Sequence, residues 1–439
     1  MFETLKGAFK VKELRKKLLF TFLMLVVIRV GSQIPLPGVN GELFKEWFKS
    51  LANESFGFLS AITGGSFEKM SVFALSITPY ITSSIIMQLL TIAIPALGEM
   101  QQDGEDGRKK IAAITRYVTV GLAIIESVAM TIGFSRSGYL TSNNWMVYTT
   151  IIVGLTAGSA VLMWIGERIT EHGVGNGISI VLIINIISRI PSDIMGLKTK
   201  FVEGKNIGNA ALAIAVIALV ILATVVLVIL LQDAERVIPT QQSRKMAGQA
   251  SFSAAASSSI PLKVNTAGVI PVIFAQSLMT TPVVIASLFG KSEGTGFWYD
   301  VLRGLSEQNW CKLTQPKYSW GLLLYIVLII AFAYFYTQIS FNPLEVANNL
   351  KKGGGFIPGI RPGKPTSDYL ENVLKYIIFI GAVGLIIVSV IPIFFNGVFN
   401  ANVSFGGTSL IIIVGVVIET LNQIESQMRV RSYKGFLKN

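Results

Sequence analysis

The chain has 439 residues, of which 51% are hydrophobic and only 14% are charged, and its mean hydropathy is +0.60. Soluble domains carry about 25% charged residues, so this composition excludes a soluble globular protein and predicts a polytopic membrane protein. A single cysteine and a single histidine argue against a disulfide framework and against a histidine-ligated catalytic metal. The net charge of +12 is typical of basic loops beside a membrane, and no DNA-binding role is expected.

The first 17 residues are basic and look amphipathic, with apolar side chains between lysines. Such a segment is predicted to lie on a surface of anionic phospholipids. The apolar run that follows ends in RVGSQIP rather than in a small-residue cleavage site, so no cleavable signal is expected.

Ten apolar segments are long enough, or nearly so, to cross a bilayer. They lie at 18–34, 73–95, 111–134, 146–165, 178–190, 209–231, 268–289, 319–341, 373–395 and 406–424. Lysine and arginine are about twice as frequent on the side of the two termini as on the other side, which predicts that both termini are cytoplasmic. Ten spans divide into five plus five, as in inverted repeats, although no residue-level repeat supports that division.

The second apolar segment is unusually polar for a helix that faces lipid alone. A glycine-broken piece at 63–69 leads into it, and it contains Pro79, an amide at Gln88 and hydroxyl groups that include Ser76, Thr78, Thr82, Ser83 and Ser84. Irregular backbone at membrane depth persists where it is buried in protein or lines a water-filled cavity. The stretch 61–95 therefore predicts a pathway. Pro79 and Pro271, each near the start of a span, could kink helices that move.

Within this stretch Ile77, Ile81 and Ile85 share one helix face. That spacing is typical of core or lipid-facing residues, and a pore-lining face is the alternative. Glu126 is the only carboxylate near the middle of a span, whereas an ion-coupled transporter would typically use several such carboxylates. Arg29 lies near the end of its span and could simply extend toward the interface.

Two long loops follow the sixth and eighth spans, at about 232–265 and 342–367. The first has a low-complexity polar tip, and the second is rich in glycine and proline, which suits a tight turn that presents Arg361. The glycine-containing stretch 166–177 lacks the lysine and hydroxyl of a phosphate-binding loop. No cofactor is therefore expected, and any energy source must come from a partner.

Seven stretches, spread in order over nearly the whole chain, resemble the SecY family, the channel-forming subunits of the bacterial protein translocase. They are RVGSQIPLPG (29–38), FALSITPYITSSIIMQLL (73–90), EDGRKKI (105–111), MWIGERITEHGVGNGISI (163–180), IPLKVNTAGVIPVIFA (260–275), FNPLEVANNLKKGGGFIPGIRPG (341–363) and FGGTSLIIIVGVVIE (405–419).

The resemblance implies an all-α polytopic membrane protein of ten transmembrane helices. Two pseudo-symmetric five-helix halves would form a clamshell around a central hourglass pore. The expected parts are an amphipathic N-terminal segment (1–17), a first half (18–190), an external linker (191–208), a second half (209–426) and a cytoplasmic tail (427–439).

The resemblance also assigns roles to residues. An apolar pore ring would comprise Ile77, Ile81, Ile85, Ile178, Leu182, Ile273 and Ile412. Leu182 departs conservatively from the isoleucine common at its position. A plug at about 59–72 would include Thr63, Gly64, Gly65, Ser66 and Phe67. A lateral gate between spans 2 and 7 would include Thr82, Ile86, Gln88, Gln276 and Thr281, with Gln88 and Gln276 expected to pair across the closed seam.

The implied partners are the SecE and SecG subunits, the SecA ATPase or a ribosome, signal sequences and unfolded preproteins. Arg236, Arg244, Lys245 and Arg361 would contact the motor or the ribosome. Many relatives carry a denser basic run in the first long loop. The sparser loop here puts the tightness of ribosome docking in doubt, since phosphate contacts supply that affinity.

The predicted function is a channel in the bacterial cytoplasmic membrane that translocates unfolded polypeptides and releases hydrophobic segments into lipid; it is not expected to be an enzyme. A secondary transporter of a small solute is the first alternative and would need mid-membrane carboxylates or broken helices in both halves. An intramembrane enzyme would need a Ser/His or paired-carboxylate arrangement within its spans.

Overall fold

The computed structural model describes residues 9–52, 63–201, 207–242, 258–288, 296–312, 315–399 and 407–436. The helices are α1 (Lys12–Gly31), α2 (Gly41–Ala52), α3 (Thr78–Ala93), α4 (Pro95–Gln102), α5 (Gly104–Arg136), α6 (Trp145–His172), α7 (Gly177–Phe201), α8 (Ile207–Asp233), α9 (Ile270–Leu288), α10 (Phe297–Leu305), α11 (Trp320–Ser340), α12 (Pro343–Lys352), α13 (Lys364–Phe399) and α14 (Gly407–Phe436). The strands are β1 (Glu235–Gln242), β2 (Ser258–Lys263) and β3 (Gly355–Phe356).

Within the described residues, seven helices are long and apolar enough to cross a membrane: α5, α6, α7, α8, α11, α13 and α14. The pair α3 and α4 forms an eighth candidate that is bent by 107°. Two further predicted spans fall on α1, whose first turns are rich in charge, and on α9, whose apolar part is short. The chain is thus a multi-pass helical membrane protein, and the total of ten spans stays a prediction.

The second span differs from its prediction at both ends. Residues 72–77 form turns, and the helix begins only at Thr78. Pro79 and Pro271 both lie in the first turn of their helices, where a missing N–H costs nothing, so the prediction that they kink helices is wrong. The sharp bend instead lies at Ile94, because Pro95 favours an extended conformation in the residue before it.

Helix α7 is longer than the fifth predicted span. It continues through Pro191 as far as Phe201, so the first part of the expected linker at 191–208 is helical. The additional turns are amphipathic and lie beyond the apolar run at 178–190.

The two long loops are joined in one antiparallel sheet of order β2-β1-β3, which sequence patterning did not predict. Glu235 pairs with Lys263, and Gln241 at the other end of β1 pairs with Phe356 of the second loop. Ile238 and Leu262 are buried against α13 in a cluster that also holds residues of the turn after β3. The two loops therefore form one body.

The three apolar clusters of the described residues that hold the most buried side chains lie among the long helices. One lies among α2, α5, α6 and the turns that precede α3, and a second lies among α8, α9, α11, α13 and α14. The third draws side chains from α1, α3, α6 and α7 and from α9 and α14, so it joins the two predicted halves. Some hydroxyls of the second span serve helix packing, since Ser83 hydrogen bonds Thr119 of α5 at 2.5 Å.

Candidate functional site

The third cluster, termed here the central cluster, is built mainly from aliphatic side chains of six helices, and the predicted ring residues in it come from four of them, α3, α7, α9 and α14. Its fully buried members include four of the predicted ring residues, Ile77, Leu182, Ile273 and Ile412. Ile81 and Ile178 pack against it while keeping partial exposure.

The exception is Ile85, which is half-buried but lies outside the central cluster. Ile77 is the N-cap of α3 and Ile81 lies one turn into the helix, so Ile85 lies a turn beyond the place where the four helices converge. The structure thus brings six of the seven predicted ring residues together.

Beside the central cluster runs a stretch in which turns follow the helical residue Thr63 and are interrupted only by a bridge between Ser71 and Pro35; residues 63–77 are termed here the turn segment. Gly64 and Gly65 begin it with φ values of 62° and 79°, in the left-handed region that favours glycine. Phe67 is fully buried, and its ring packs edge-on against Phe44 with centroids 5.6 Å apart. The predicted plug residues Thr63 to Phe67 all lie in this segment, whereas residues 59–62 lie outside the described part of the chain.

The segment is tied by its backbone to the loop after α1. Leu36 N–H donates to the Met70 carbonyl at 2.8 Å, and Val72 N–H donates to the Ile34 carbonyl at 3.0 Å. Lys69 adds a side-chain hydrogen bond to Gln33 at 2.6 Å. Burial of this irregular backbone is thus compensated by specific partners, as a low-dielectric environment requires.

A row of polar side chains on α7 holds the other side of the turn segment. Asn185 Nδ2 donates to Ser76 Oγ at 3.1 Å, while Asn185 Oδ1 accepts from Arg29 Nη2 of α1 at 2.6 Å. One turn further along α7, Ser188 Oγ lies 3.3 Å from the Gly64 carbonyl oxygen.

The row ends at Arg189, whose Nη1 lies 3.4 Å from Glu68 Oε2 in a largely buried ion pair. We refer to the contacts of Asn185, Ser188 and Arg189 with the turn segment as the α7 latch. Arg29 stood out in the sequence as a charged side chain within an apolar span, whereas nothing in the sequence pattern linked Asn185, Ser188 and Arg189 of the fifth predicted span with the turn segment.

The predicted gate residues are divided between α3 and α9. Thr82 and Ile86 are half-buried on α3, and Thr281 is exposed on α9, where its hydroxyl donates to its own helix at the Ser277 carbonyl. The more extended contact of α9 across the seam is with α5 rather than with α3.

The expected pairing of Gln88 with Gln276 is wrong. Gln276 is 2% exposed, and its Nε2 donates to Glu307 Oε2 at 2.5 Å. Glu307 follows α10 in a short 3-10 turn, and nothing in the sequence pattern marked it as a partner for α9.

Two of the four basic residues predicted to contact a partner, Arg236 and Arg361, lie in or beside the sheet. Arg236 is exposed on β1 opposite Leu262, and Arg361 is exposed in the turn after β3, where Thr366 Oγ1 donates to its carbonyl at 2.8 Å. The glycines on either side, Gly359 and Gly363, have φ values of 84° and 103°, in keeping with the predicted tight turn. Arg244 and Lys245 lie outside the described residues.

No group of three metal-ligating side chains occurs within the described residues. The arrangement offers a buried apolar cluster to which helices from both ends of the chain contribute, an irregular buried segment beside it and a sheet that carries exposed Arg236 with Arg361 in the turn after it. Such an arrangement can control passage through a membrane.

Comparison with known proteins agrees with this geometry. The SecY family model matches residues 71–421. A protein translocase subunit SecY of Halalkalibacterium halodurans is 43% identical over the full length of both chains. The SecY subunit of Bacillus subtilis is 42% identical, again over the full length of both chains.

Among solved structures, that of a protein-conducting channel matches with a TM-score of 0.65 at 17% identity, covering 94% of this chain and 92% of the other. Sec61 in a canine ribosome–channel complex matches with a TM-score of 0.62 at 16% identity, with the same shares covered. At this level of identity, these two likenesses concern the fold.

Proposed function

This chain belongs to the SecY family of protein-translocase channels, and we propose how its own residues open and close that channel. The observation that carries the proposal is the central cluster, in which aliphatic side chains from both halves meet beside a buried turn segment. Membership of the SecY family argues against a small-solute transporter, and Glu126 alone offers little chemistry for coupling transport to an ion.

The central cluster acts as the seal. Six aliphatic side chains that meet in a narrow constriction exclude water and ions, because a small apolar opening dewets. Flexible aliphatic side chains can also fit around a passing polypeptide without selecting its sequence. The seal therefore opens by separation of α3 and α7 from α9 and α14.

The turn segment acts as the plug. Its attachment to the loop after α1 and to the α7 latch holds it beside the central cluster in the state described here. When the channel opens, water or peptide can replace the polar contacts of the turn segment. When it closes, the same contacts with α7 and with the loop after α1 can form again.

The seam between α3 and α9 acts as the lateral gate for signal sequences and transmembrane segments. Cysteines at Thr82 and Thr281, introduced with Cys311→Ser and joined by a short bifunctional reagent, should block transport of a signal-bearing precursor by at least about tenfold. Either single-cysteine variant treated with the same reagent serves as the control. Normal transport through the doubly joined channel would show that this seam is not the gate.

The sheet formed by the two long loops is the docking site for a cytoplasmic partner. A related Sec61 was solved in a ribosome–channel complex, and Arg236 and Arg361 are available here to contact ribosomal phosphates or an acidic motor surface. We assign SecA as the motor, SecE and SecG as the accompanying subunits, and the bacterial cytoplasmic membrane as the location, with both termini inside.

A reconstituted transport assay tests the function as a whole. The full chain is placed in liposomes with a SecE, and SecA, ATP and a signal-bearing precursor are added. Precursor should become protected from external protease, and omission of ATP or of the signal should abolish the protection. Flux of a small solute without protected precursor would overturn the assignment.

A further inference from the structure

The segment at 296–312, termed here the cap segment, is fixed firmly to the start of α11. Asp300 accepts hydrogen bonds from Lys317 Nζ at 2.6 Å and from Tyr318 Oη at 2.9 Å. Trp310 is fully buried, and its Nε1 donates to the Gly304 carbonyl at 2.7 Å. The Trp310 ring also packs against Tyr325 of α11 with centroids 5.3 Å apart, so the cap segment is attached to α11 and is not a free loop.

The same segment also contacts α9. Val283 and Ala286 of α9 form an apolar cluster with Leu302 of α10. Deeper along α9, Gln276 meets Glu307 through the 2.5 Å hydrogen bond described above. The cap segment thus links the gate helix α9 to the body of the second half at two points, one apolar and one polar.

The polar link is incomplete when Glu307 is ionised. Gln276 Oε1 is buried and has no hydrogen-bond partner in the described part of the chain. A carboxylate can only accept, so it uses Gln276 Nε2 and leaves Oε1 unpaired. No cation within the described ranges forms an ion pair with Glu307.

Protonation of Glu307 removes both the unpaired Gln276 Oε1 and the buried charge that has no cation beside it. The neutral carboxylic acid carries an O–H donor, which matches the unpaired Gln276 Oε1, while its other oxygen still accepts from Nε2. We propose that Glu307 holds α9 against the cap segment as a neutral carboxylic acid, and that its ionisation loosens the gate helix. This inference rests on the proposed role of α9 as a gate.

The surrounding charges leave Glu307 as the group that titrates. Besides Glu307, the described cap segment and the turn that follows it carry Tyr299, Asp300, Arg303, Cys311, Lys312, Lys317 and Tyr318. Lys317 hydrogen bonds Asp300 and holds the pKa of that carboxyl below its ordinary value. Helix α9 and residues 377–399 of α13 contain no titratable side chain, and α11 presents Tyr325 to Trp310.

Burial raises the pKa of Glu307 from 4.5 to about 7, and the hydrogen bond from Gln276 opposes that rise in part. If α9 separates and Glu307 meets water, the pKa returns toward its ordinary value. Between pH 4.5 and about 7, Glu307 is therefore protonated when α9 is packed against the cap segment and ionised when α9 has separated from it. Packing is therefore strongest below pH 4.5, weakens as the pH rises toward about 7 and changes no further above that.

Pulsed electron paramagnetic resonance on the complete chain in liposomes can test the movement. Nitroxide labels at Leu278→Cys on α9 and Ile125→Cys on α5, in a Cys311→Ser background, occupy positions that are 53% and 65% exposed. The ratio of separated to apposed α9 should rise at least about tenfold between about pH 5 and about pH 8.

Two variants make the test specific. Glu307→Gln should stay apposed at every pH, because an amide supplies both hydrogen bonds without a charge. Glu345→Gln is the matched control and should keep the pH response, because Glu345 is exposed on α12 and is not part of the cap segment. An unchanged ratio in the labelled parent, or an unchanged pH response in Glu307→Gln, would overturn the proposal.

Infrared difference spectroscopy of the parent chain against Glu307→Gln measures the titration without relying on transport. A protonated carboxyl band should disappear near pH 7, in line with the raised pKa. Loss of that band near the ordinary pKa would overturn the proposal even if α9 moved. Precursor transport by the same liposomes tests the channel function separately, so a transporting channel with no pH response would overturn this inference alone.

Discussion

At the scale of single residues, Gly64 and Gly65 form a matched pair in the turn segment. Both have positive φ, but a Cβ at Gly64 would lie 2.7 Å from Asn185 Cα, whereas a Cβ at Gly65 would have nothing within 4 Å. Gly65→Ala should therefore cost only the left-handed conformation, about 1–2 kcal/mol.

Gly64→Ala should cost more, because it also pushes the turn segment away from α7. Thermal unfolding in detergent gives the stability difference, and ion leak through reconstituted liposomes reports the displacement. We expect the leak to rise several-fold for Gly64→Ala and to stay near the parent value for Gly65→Ala. Equal effects of the two substitutions would mean that the contact with Asn185 does not hold the segment.

The isoleucines of α3 provide a second pair. Ile81 packs against the central cluster and Ile85 does not, although both were predicted to belong to the ring. Ile81→Asn places a hydrated group at the constriction and should increase resting ion conductance several-fold, since the seal depends on dewetting. Ile85→Asn should leave conductance near the parent value. A similar rise in conductance in both variants would show that Ile85 also belongs to the ring.

This distinction marks what the residues alone could predict. A spacing of four identifies a helix face, and the family resemblance named which positions on that face belong to the ring. Where along α3 the four helices converge depends on packing among elements that are distant in sequence. The start of α3 at Thr78, later than hydropathy indicated, shifts the place of convergence toward Ile77 and Ile81.

At the scale of elements, the α7 latch couples the turn segment to both α1 and α7. Asn185→Leu keeps the side chain's size but removes its hydrogen bonds to Ser76 and Arg29. Leaving those buried groups without Asn185 should cost about 1–3 kcal/mol. The turn segment should then leave its place more often, so that ion leak rises and a precursor with a weakened signal sequence is transported more readily.

Asn144→Leu is the control for this substitution. Asn144 is exposed before α6, and its side chain forms no capping hydrogen bond, so the replacement should change neither leak nor unfolding temperature appreciably. If Asn185→Leu were as silent as Asn144→Leu, the latch would be incidental to closure.

Hydropathy located most of the long helices but not the turn segment. Residues 71–77 are mostly apolar and continue into α3, so hydropathy averaged along the chain predicts that they belong to that helix. The positive φ at Met70 and Ser76 breaks the helix, and contacts with α7 and with the loop after α1 satisfy the freed backbone. The strands β1 and β2 were missed because each contains a proline, which weakens a strand pattern, and because their pairing spans a polar tip.

At the scale of the whole molecule, the family resemblance predicts two halves, a division that composition alone left open. The central cluster unites side chains of both halves, and helices α7 and α14 meet across it. What the resemblance did not supply is the connection between the two long loops. Ile238, Leu262 and Ile357 share one buried cluster, so that β1, β2 and the turn bearing Arg361 have a common core.

That common core makes the proposed docking surface a single unit, so its two exposed arginines should act together on one partner. Arg361→Ala and Arg236→Ala should each weaken ribosome binding, and the salt dependence of log K should lose about one unit of slope for each phosphate contact removed. Lys45→Ala on α2 is the control, because Lys45 is equally exposed but lies far from the sheet along the chain.

The same variants separate the two kinds of partner. Docking of a motor protein depends on shape as well as on charge, so its salt slope should change less than that of the ribosome. Sedimentation of the reconstituted channel with ribosomes, and with the motor, over a range of salt concentrations measures both slopes. If Arg361→Ala leaves both slopes unchanged, the turn after β3 contributes only its shape, and docking depends on the tip of the first long loop.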